Sequence, residues 1–318
     1  MKSKKAVMGF AALLIFVFHF YIPFTDTAAE TFFYRSAYIG VDLFFFLSAV
    51  SLGKNESLPF GSFIRNRLSR VYVPFAVLAV LAAAYKGWAF KKLFFVLCGI
   101  DFLQKGGGAF LWFLPGIMLL YLITPLFVRL KSRCGLKSLG LLFLLWAAAV
   151  VLLQYGFHRT RIFILLNRVP IYLLGLYFVP LSRYQPEKLR VPLIIAGLVI
   201  GGALVWNFGT TARLNAPIKD MYYIIAIPYT LSVAALFEFA SERFNLRLAP
   251  LSFVGGVTLE LYGLQMIFGY DIESFLVSKA LNGQLAFLIT AAVLISASCL
   301  FSMLRNKIRN HIQRRTTV

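Results

Sequence analysis

Charge is scarce in this chain, and negative charge scarcest of all. Only 14% of its 318 residues are Asp, Glu, Lys or Arg, and only 12 are acidic. With 60% hydrophobic residues and a mean hydropathy of +0.80, this excludes a soluble domain of useful size. Cysteine is scarce too. Cys98, Cys134 and Cys299 lie in or beside apolar segments, without metal or redox spacing, and read as small core hydrophobes. Zinc-ligand spacing, a Gly-x-Ser-x-Gly elbow and a nucleotide fingerprint are all missing. Gly106-Gly107-Gly108 lacks the Gly-Lys-Ser/Thr continuation of a phosphate loop and reads as a hinge. No internal repeat stands out, which weakens a secondary-transporter reading. No metal is expected. Any chemistry must rest on His, Asp and Arg.

What the chain has instead is apolar runs of roughly 17 to 20 residues, each long enough to cross a bilayer as a helix. They predict an all-α polytopic bundle of about ten spans, with residues 1–318 forming one transmembrane domain. The spans are Ala6–Phe24, Ala37–Gly53, Val71–Tyr85, Phe110–Val128, Leu139–Tyr155, Ile162–Leu181, Val191–Phe208, Met221–Ala240, Leu251–Gly269 and Gln284–Leu304. Phe90–Leu103 is short and interrupted by Asp101, as a re-entrant or interfacial helix would be. The first run is too long for a signal peptide and no small-residue cleavage site follows it, so it reads as a retained span. Residues 305–318 form a short basic tail.

A net charge of +20 would suggest nucleic acid in a soluble protein. Here the cations sit in short loops between spans. If the N-terminus is inside, the inside segments carry 21 Lys and Arg and the outside segments 10. That bias predicts both termini in the cytoplasm and no nucleic-acid partner. Contact with anionic membrane lipids is expected.

Polar residues inside such spans are costly and mark function or specific pairing. His19 lies roughly 20 Å into the first span, toward its outer side. Its imidazole suits a general base, or a core hydrogen bond to a neighbouring helix. Asp42 begins the second span at the same side. It could fix the histidine's tautomer, cap its helix or pair with Arg35. Arg65, Arg67 and Arg70 follow that span. Arg67 and Arg70 are three apart and would share a helix face, which suits a phosphate as well as it suits an ordinary basic loop. Trp112 reads as an interfacial anchor or a stacking wall for a sugar. Arg168, just before Pro170, needs a partner or a wet cavity. Glu238, Glu260 and Gln265 are further intramembrane polar groups.

Taken together these patches resemble the acyltransferase 3 family of bacterial membrane O-acyltransferases. GFAALLIFVFHF closes on a first-span histidine. GVDLFFFLSAVSL is similar to the family's Gly-Val-Asp, Phe-rich segment. FIRNRLSRVYVPF is similar to its Arg-x-x-Arg element before a proline-led span, and LWFLPGIMLLYLITPL to its tryptophan-containing span. NRVPIYLLGLYFVP and LSFVGGVTLELYGLQ resemble two later landmarks. The order covers nearly the whole chain. Departures are Met8, where the family commonly carries arginine, Ser48-Ala49 in place of serine-glycine, and Gln265 in place of a late histidine.

The resemblance implies transfer of an acyl group, often acetyl, from acyl-coenzyme A to a hydroxyl of an envelope glycan or lipid-linked glycan at the bacterial inner membrane. It implies His19 as catalytic base, assisted by Asp42, with Arg67 and Arg70 holding the donor and Trp112 and Arg168 facing the substrate. Envelope-synthesis proteins would be the partners. The residues leave open two alternatives, a flippase for a lipid-linked glycan and a non-catalytic member of an envelope-synthesis complex.

Overall fold

The computed structural model describes residues 3–25, 27–55, 58–156, 161–178, 187–209, 220–244 and 248–316. Asp26, the end of the sixth expected span at Leu181 and the connection 210–219 fall outside them. Every regular element among the described residues is helical. Helix α1 is Lys4–Phe20, α2 Ala28–Ser36, α3 Ile39–Leu52 and α4 Phe60–Lys86. The short helices α5 Phe90–Leu97 and α6 Ile100–Lys105 follow. Then come α7 Phe113–Cys134, α8 Lys137–Gly156, α9 Phe163–Leu166 and α10 Val169–Leu176. The rest are α11 Glu187–Phe208, α12 Tyr222–Arg243, α13 Ala249–Val254, α14 Thr258–Leu264, α15 Tyr270–Ser278 and α16 Gly283–Thr316.

Six described helices are long and apolar enough to cross a membrane: α4, α7, α8, α11, α12 and the Gly283–Arg305 part of α16. The pair α2–α3, bent by 46°, counts as a seventh if it is one span. This is a multi-pass membrane protein. The remaining expected spans are present as shorter or broken helices. Helix α1 has 17 residues, about 26 Å of rise against a hydrocarbon core of about 30 Å. The sixth expected span breaks at Asn167-Arg168, ahead of Pro170. The ninth breaks at Gly255-Gly256, between α13 and α14.

The breaks fall where physics permits them. Irregular backbone at membrane depth survives only when protein, not lipid, surrounds it. Eleven of the 14 residues of α3 are buried, as are Ile171, Tyr172, Leu173, Gly175 and Leu176 of α10. By contrast, only 11% of the apolar stretch of the unbroken α8 is buried. Short and broken helices therefore form the inside of the bundle and long ones its outer wall.

Small residues let the inner helices touch backbone to backbone, which replaces a hydrophobic driving force between helices. A Cβ on Gly9 would lie 1.9 Å from the Leu251 carbonyl oxygen, and one on Gly255 1.9 Å from that of Lys5. A Cβ on Gly40 would lie 2.5 Å from the Ala11 oxygen. Gly40 thus seats α3 on the middle of α1, while Lys4 at the start of α1 donates to Ser51 near the end of α3. The two helices run antiparallel.

Helices α5 and α6 form a hairpin that turns back along α4. Gly99, at φ +72°, makes the break between them, a conformation that costs glycine nothing. The tip reaches the Tyr72 hydroxyl, which donates to the Leu97 carbonyl at 3.3 Å in the middle of α4. Asp101 caps the return. It accepts from the Phe110 N–H at 3.3 Å and pairs with Lys105.

Candidate functional site

The break between α9 and α10 frees backbone carbonyls that a membrane interior cannot hydrate. Two side chains satisfy them. Arg168 Nη1 donates to the Ile164 oxygen at 2.6 Å, and Trp146 Nε1 donates to the Leu166 oxygen at 2.8 Å. Pro170 starts the new helix, where its missing N–H costs nothing. Arg168 is therefore held at the break by its own backbone.

Its guanidinium meets the one acid that α3 carries. Arg168 Nε lies 3.2 Å from Asp42 Oδ1, and both side chains are 1% exposed. The guanidinium carbon lies 3.4 Å from the ring centroid of Tyr223 and 4.8 Å from that of Trp112, so the cation is faced by two aromatic rings. Tyr222 packs on Tyr223 at 3.9 Å, and Tyr38 meets both edge-on at 5.1 and 5.5 Å. Tyr262 lies edge-on to Phe113, the residue after Trp112, at 6.3 Å. Trp112 is aimed by strain. Leu111, before it, is fully buried at φ +48°, a conformation rare for a bulky residue and typical of positions that surrounding structure over-determines.

Three of the residues singled out in the sequence, Asp42, Trp112 and Arg168, thus converge on one buried cluster. His19 lies apart from it. It sits half-buried in the last turn of α1, edge-on to Phe18 at 5.3 Å, and has no hydrogen-bond partner among the described residues. Gly40 faces Ala11, Leu14 and Ile15. Along the antiparallel pair, His19 lies beyond that contact in one direction and Asp42 beyond it in the other, on the order of 10 Å apart. Asp42 faces Arg168 rather than His19 or Arg35, because α10 packs on the far side of α3.

The two arginines of the Arg-x-x-Arg element also separate. Residues 68–72 form a π turn within α4, wider than an α turn. Arg67 turns into the bundle, its guanidinium carbon 5.5 Å from the Phe63 ring and 5.4 Å from the Tyr121 ring. Arg70 is exposed. Gln265 opens a second π turn, Gln265–Gly269, with its amide buried and without a hydrogen-bond partner among the described residues. Glu260, one turn earlier, pairs with Arg305 of α16, and Glu238 accepts from Ser3 at the start of α1.

Sequence reasoning missed the tyrosines. Tyr222, Tyr223 and Tyr262 looked like ordinary aromatic content of apolar runs. The one available signal was the adjacent pair Tyr222-Tyr223 at the start of a span.

A buried Asp–Arg pair against a tryptophan, with tyrosine hydroxyls around it, can bind a polyhydroxylated or anionic group. A half-buried imidazole without a hydrogen-bond partner among the described residues can move a proton. No curated protein and no solved structure matches the chain significantly. A family model described as Acyltransferase domain matches residues 7–304. That is nearly the whole chain, from α1 to α16, with every element of the cluster inside it, and the protein belongs to the acyltransferase 3 family.

Proposed function

We propose that this protein is a bacterial inner-membrane O-acyltransferase that moves an acyl group, acetyl by preference, from acyl-coenzyme A to a hydroxyl of an envelope glycan or lipid-linked glycan. The observation that carries the reading is His19. Its imidazole is held in a partly buried helix end without a hydrogen-bond partner among the described residues, as a base awaiting a substrate hydroxyl requires. His19 takes the proton of the acceptor hydroxyl as its oxygen attacks the thioester carbonyl. The coenzyme A thiolate leaves and is protonated in turn. Asp42 acts by holding Arg168 against Trp112, where the pair binds acceptor hydroxyls. Arg67 faces the donor; Arg70, exposed, is left for anionic lipid. We place both termini in the cytoplasm and count ten passes, the short inner helices included, since they lie within protein and need not match the bilayer. Partner proteins of envelope synthesis deliver the acceptor.

The test is label transfer. Membranes holding the wild type or His19→Ala receive labelled acetyl-coenzyme A, and glycan fractions are counted. His19-dependent label is expected; equal label from both forms at equal protein level overturns the role of His19. One observation favours a second reading. A helix broken at a buried charge is also how transporters build a site. A flippase would move its lipid-linked glycan without any acyl donor, which the same membranes can be asked to do.

A further inference from the structure

Helices α11 and α12 touch along part of their length and part toward one end. A Cβ on Gly201 would lie 2.6 Å from the Tyr229 nitrogen, and one on Gly197 1.9 Å from Ser232 Oγ. Toward Glu187 and Glu242 the helices are bridged by long side chains instead. Arg190 of α11 pairs with Glu242 of α12 at 2.6 Å, and its guanidinium carbon lies 5.7 Å from the Phe239 ring. The space left between the parted helices is a cavity of about 550 Å³, within the range of about 300–1,000 Å³ typical of ligand pockets.

The cavity is apolar inside and charged at its mouth. Leu193, Ile194 and Leu231 line it, with Phe46 of α3 and Leu174 of α10 behind them. Glu187, Arg190 and Glu242 form the mouth, and Glu238, which binds Ser3, lies one turn inside Glu242. The Arg190 and Glu242 side chains are 33% and 39% exposed. A pair this exposed is worth little on its own, so a ligand can enter between its members. Ser232 also lines the cavity. It is 7% exposed, and its hydroxyl has no hydrogen-bond partner among the described residues. Gly197, which faces it, is seven residues from Arg190, so the hydroxyl sits about 10 Å deeper than the ion pair. An anion entering here meets Glu187 and Glu242, and a cation meets Arg190. A group that carries both charges side by side satisfies all three. Only 17% of the apolar stretch of α11 and 28% of that of α12 are buried, so the two helices belong to the outer wall, where a lipid has access.

We propose that this cavity binds a zwitterionic phospholipid with a primary-amine head group, phosphatidylethanolamine. Its phosphate takes Arg190, its ammonium takes Glu242 and Glu187, and one acyl chain runs up between α11 and α12. Ser232 stands on the path of the ester carbonyls that follow the phosphate. The amine sets the preference, because an ammonium offers three N–H donors to the carboxylates and a trimethylammonium offers none. The back wall gives the occupant a consequence. Phe46 lies on the helix that carries Asp42, and Leu174 on the helix that follows Arg168, so a bound lipid braces the two helices that hold the buried ion pair together.

The test is native mass spectrometry of the full-length protein, released from detergent micelles and titrated with phospholipids of matched chains. Phosphatidylethanolamine is expected to fill one saturable site. Phosphatidylcholine should need a concentration at least about tenfold higher, the loss of one charge-assisted contact. Glu242→Gln and Arg190→Gln should each weaken phosphatidylethanolamine binding about tenfold, while Glu242→Asp, which keeps the carboxylate, restores most of it and shows that the fold survives. Ala235→Phe, at a residue that lines the cavity, fills the space and should abolish binding in protein that still elutes as a folded species. Arg133→Gln, an exposed cation elsewhere, should leave binding unchanged. Equal binding of the two lipids, or binding indifferent to Arg190 and Glu242, overturns the proposal, as does full binding by folded Ala235→Phe. Tighter binding of phosphatidylglycerol, lost in Arg190→Gln but kept in Glu242→Gln, overturns the amine assignment in favour of an anionic lipid.

Discussion

Removing one member of the Asp42–Arg168 pair should cost far more than removing both. A buried ion pair that loses a partner leaves an uncompensated charge, typically a loss of about 3–5 kcal/mol, whereas replacing both members by apolar residues is often neutral or stabilising by about 1–4 kcal/mol. The surroundings set where each variant falls. In Asp42→Asn the guanidinium keeps the Tyr223 and Trp112 faces and the Ile164 carbonyl, so the loss should be near the lower figure, about 3 kcal/mol. In Arg168→Met the Asp42 carboxylate, 1% exposed, has no other cation paired with it among the described residues. The Ile164 carbonyl also loses its donor. That loss should approach about 5 kcal/mol. Asp42→Leu with Arg168→Met should recover the stability of the wild type to within about 1 kcal/mol. The assay is reversible unfolding of the detergent-solubilised protein, run beside label transfer. The double variant should fold and fail to transfer. Equal stability of all four forms would refute the claim that the pair is dry and mutually dependent. A double variant that folds and transfers normally would refute its part in the site.

Removing the imidazole in His19→Ala should abolish transfer while shifting unfolding by less than about 1 kcal/mol, because no hydrogen bond is lost; a large loss of stability would mark His19 as structural. Gly9→Leu and Gly255→Val must push α1 and α13 apart, since even a Cβ would lie 1.9 Å from a facing carbonyl oxygen; folded yield on size-exclusion chromatography should collapse. Gly140→Ala in α8 meets nothing within 4 Å and should gain up to about 1 kcal/mol from helix propensity. Lys4 lies outside the apolar run that begins at Ala6. Burial first, then Arg67 and Lys54, lower its pKa from the ordinary 10.5. Stabilisation by added phosphate, read in the same unfolding assay, should therefore be full below that lowered pKa and fall as pH rises through it, before an ordinary lysine would lose its proton. Lys4→Arg should remove this limb, and a limb that persists in Lys4→Arg would belong to another group.

The polar landmarks were legible because a membrane makes each of them expensive. Asp42, Arg168 and Trp112 stood out singly, and the structure joins them. Their partnership was not legible, because helices α3 and α10 are more than a hundred residues apart and apolar periodicity says nothing about which helices neighbour each other inside a bilayer, where every face is apolar. Six described helices, or seven with the α2–α3 pair, are long and apolar enough to span, against about ten expected, for the same reason. Hydropathy records greasy length, and the inner helices break at Asn167-Arg168 and Gly255-Gly256 without losing it. The Arg67–Arg70 face was inferred from α-helical spacing, and the π turn at residues 68–72 undoes that spacing with no signature in the residues themselves. The glycines of GVDLFFF and SFVGG were legible only as motif letters. In the structure they are close approaches between backbones, with Gly40 on Ala11 and Gly255 on Lys5.

The shortage of acid noted at the outset shapes the surroundings of Lys4, which Arg67 and Lys54 both repel. Seven of the twelve carboxylates have specific tasks in the described structure. Glu30 gathers the backbone of Phe24 and Thr25, and Glu238 anchors Ser3. Asp101 closes the hairpin, and Asp271 meets Tyr85. Asp42, Glu242 and Glu260 neutralise Arg168, Arg190 and Arg305. Each sits where a helix ends, breaks or meets a neighbour. None is spent on Lys4, Lys54 or Arg67, although Glu238 binds the residue next to Lys4. Like charges left together at a helix end destabilise the unliganded protein, and none of these seven acids pairs with them. Such a cluster makes sense as a place where charge balance arrives with a ligand, so an added phosphate should stabilise the wild type more than it stabilises Lys4→Gln.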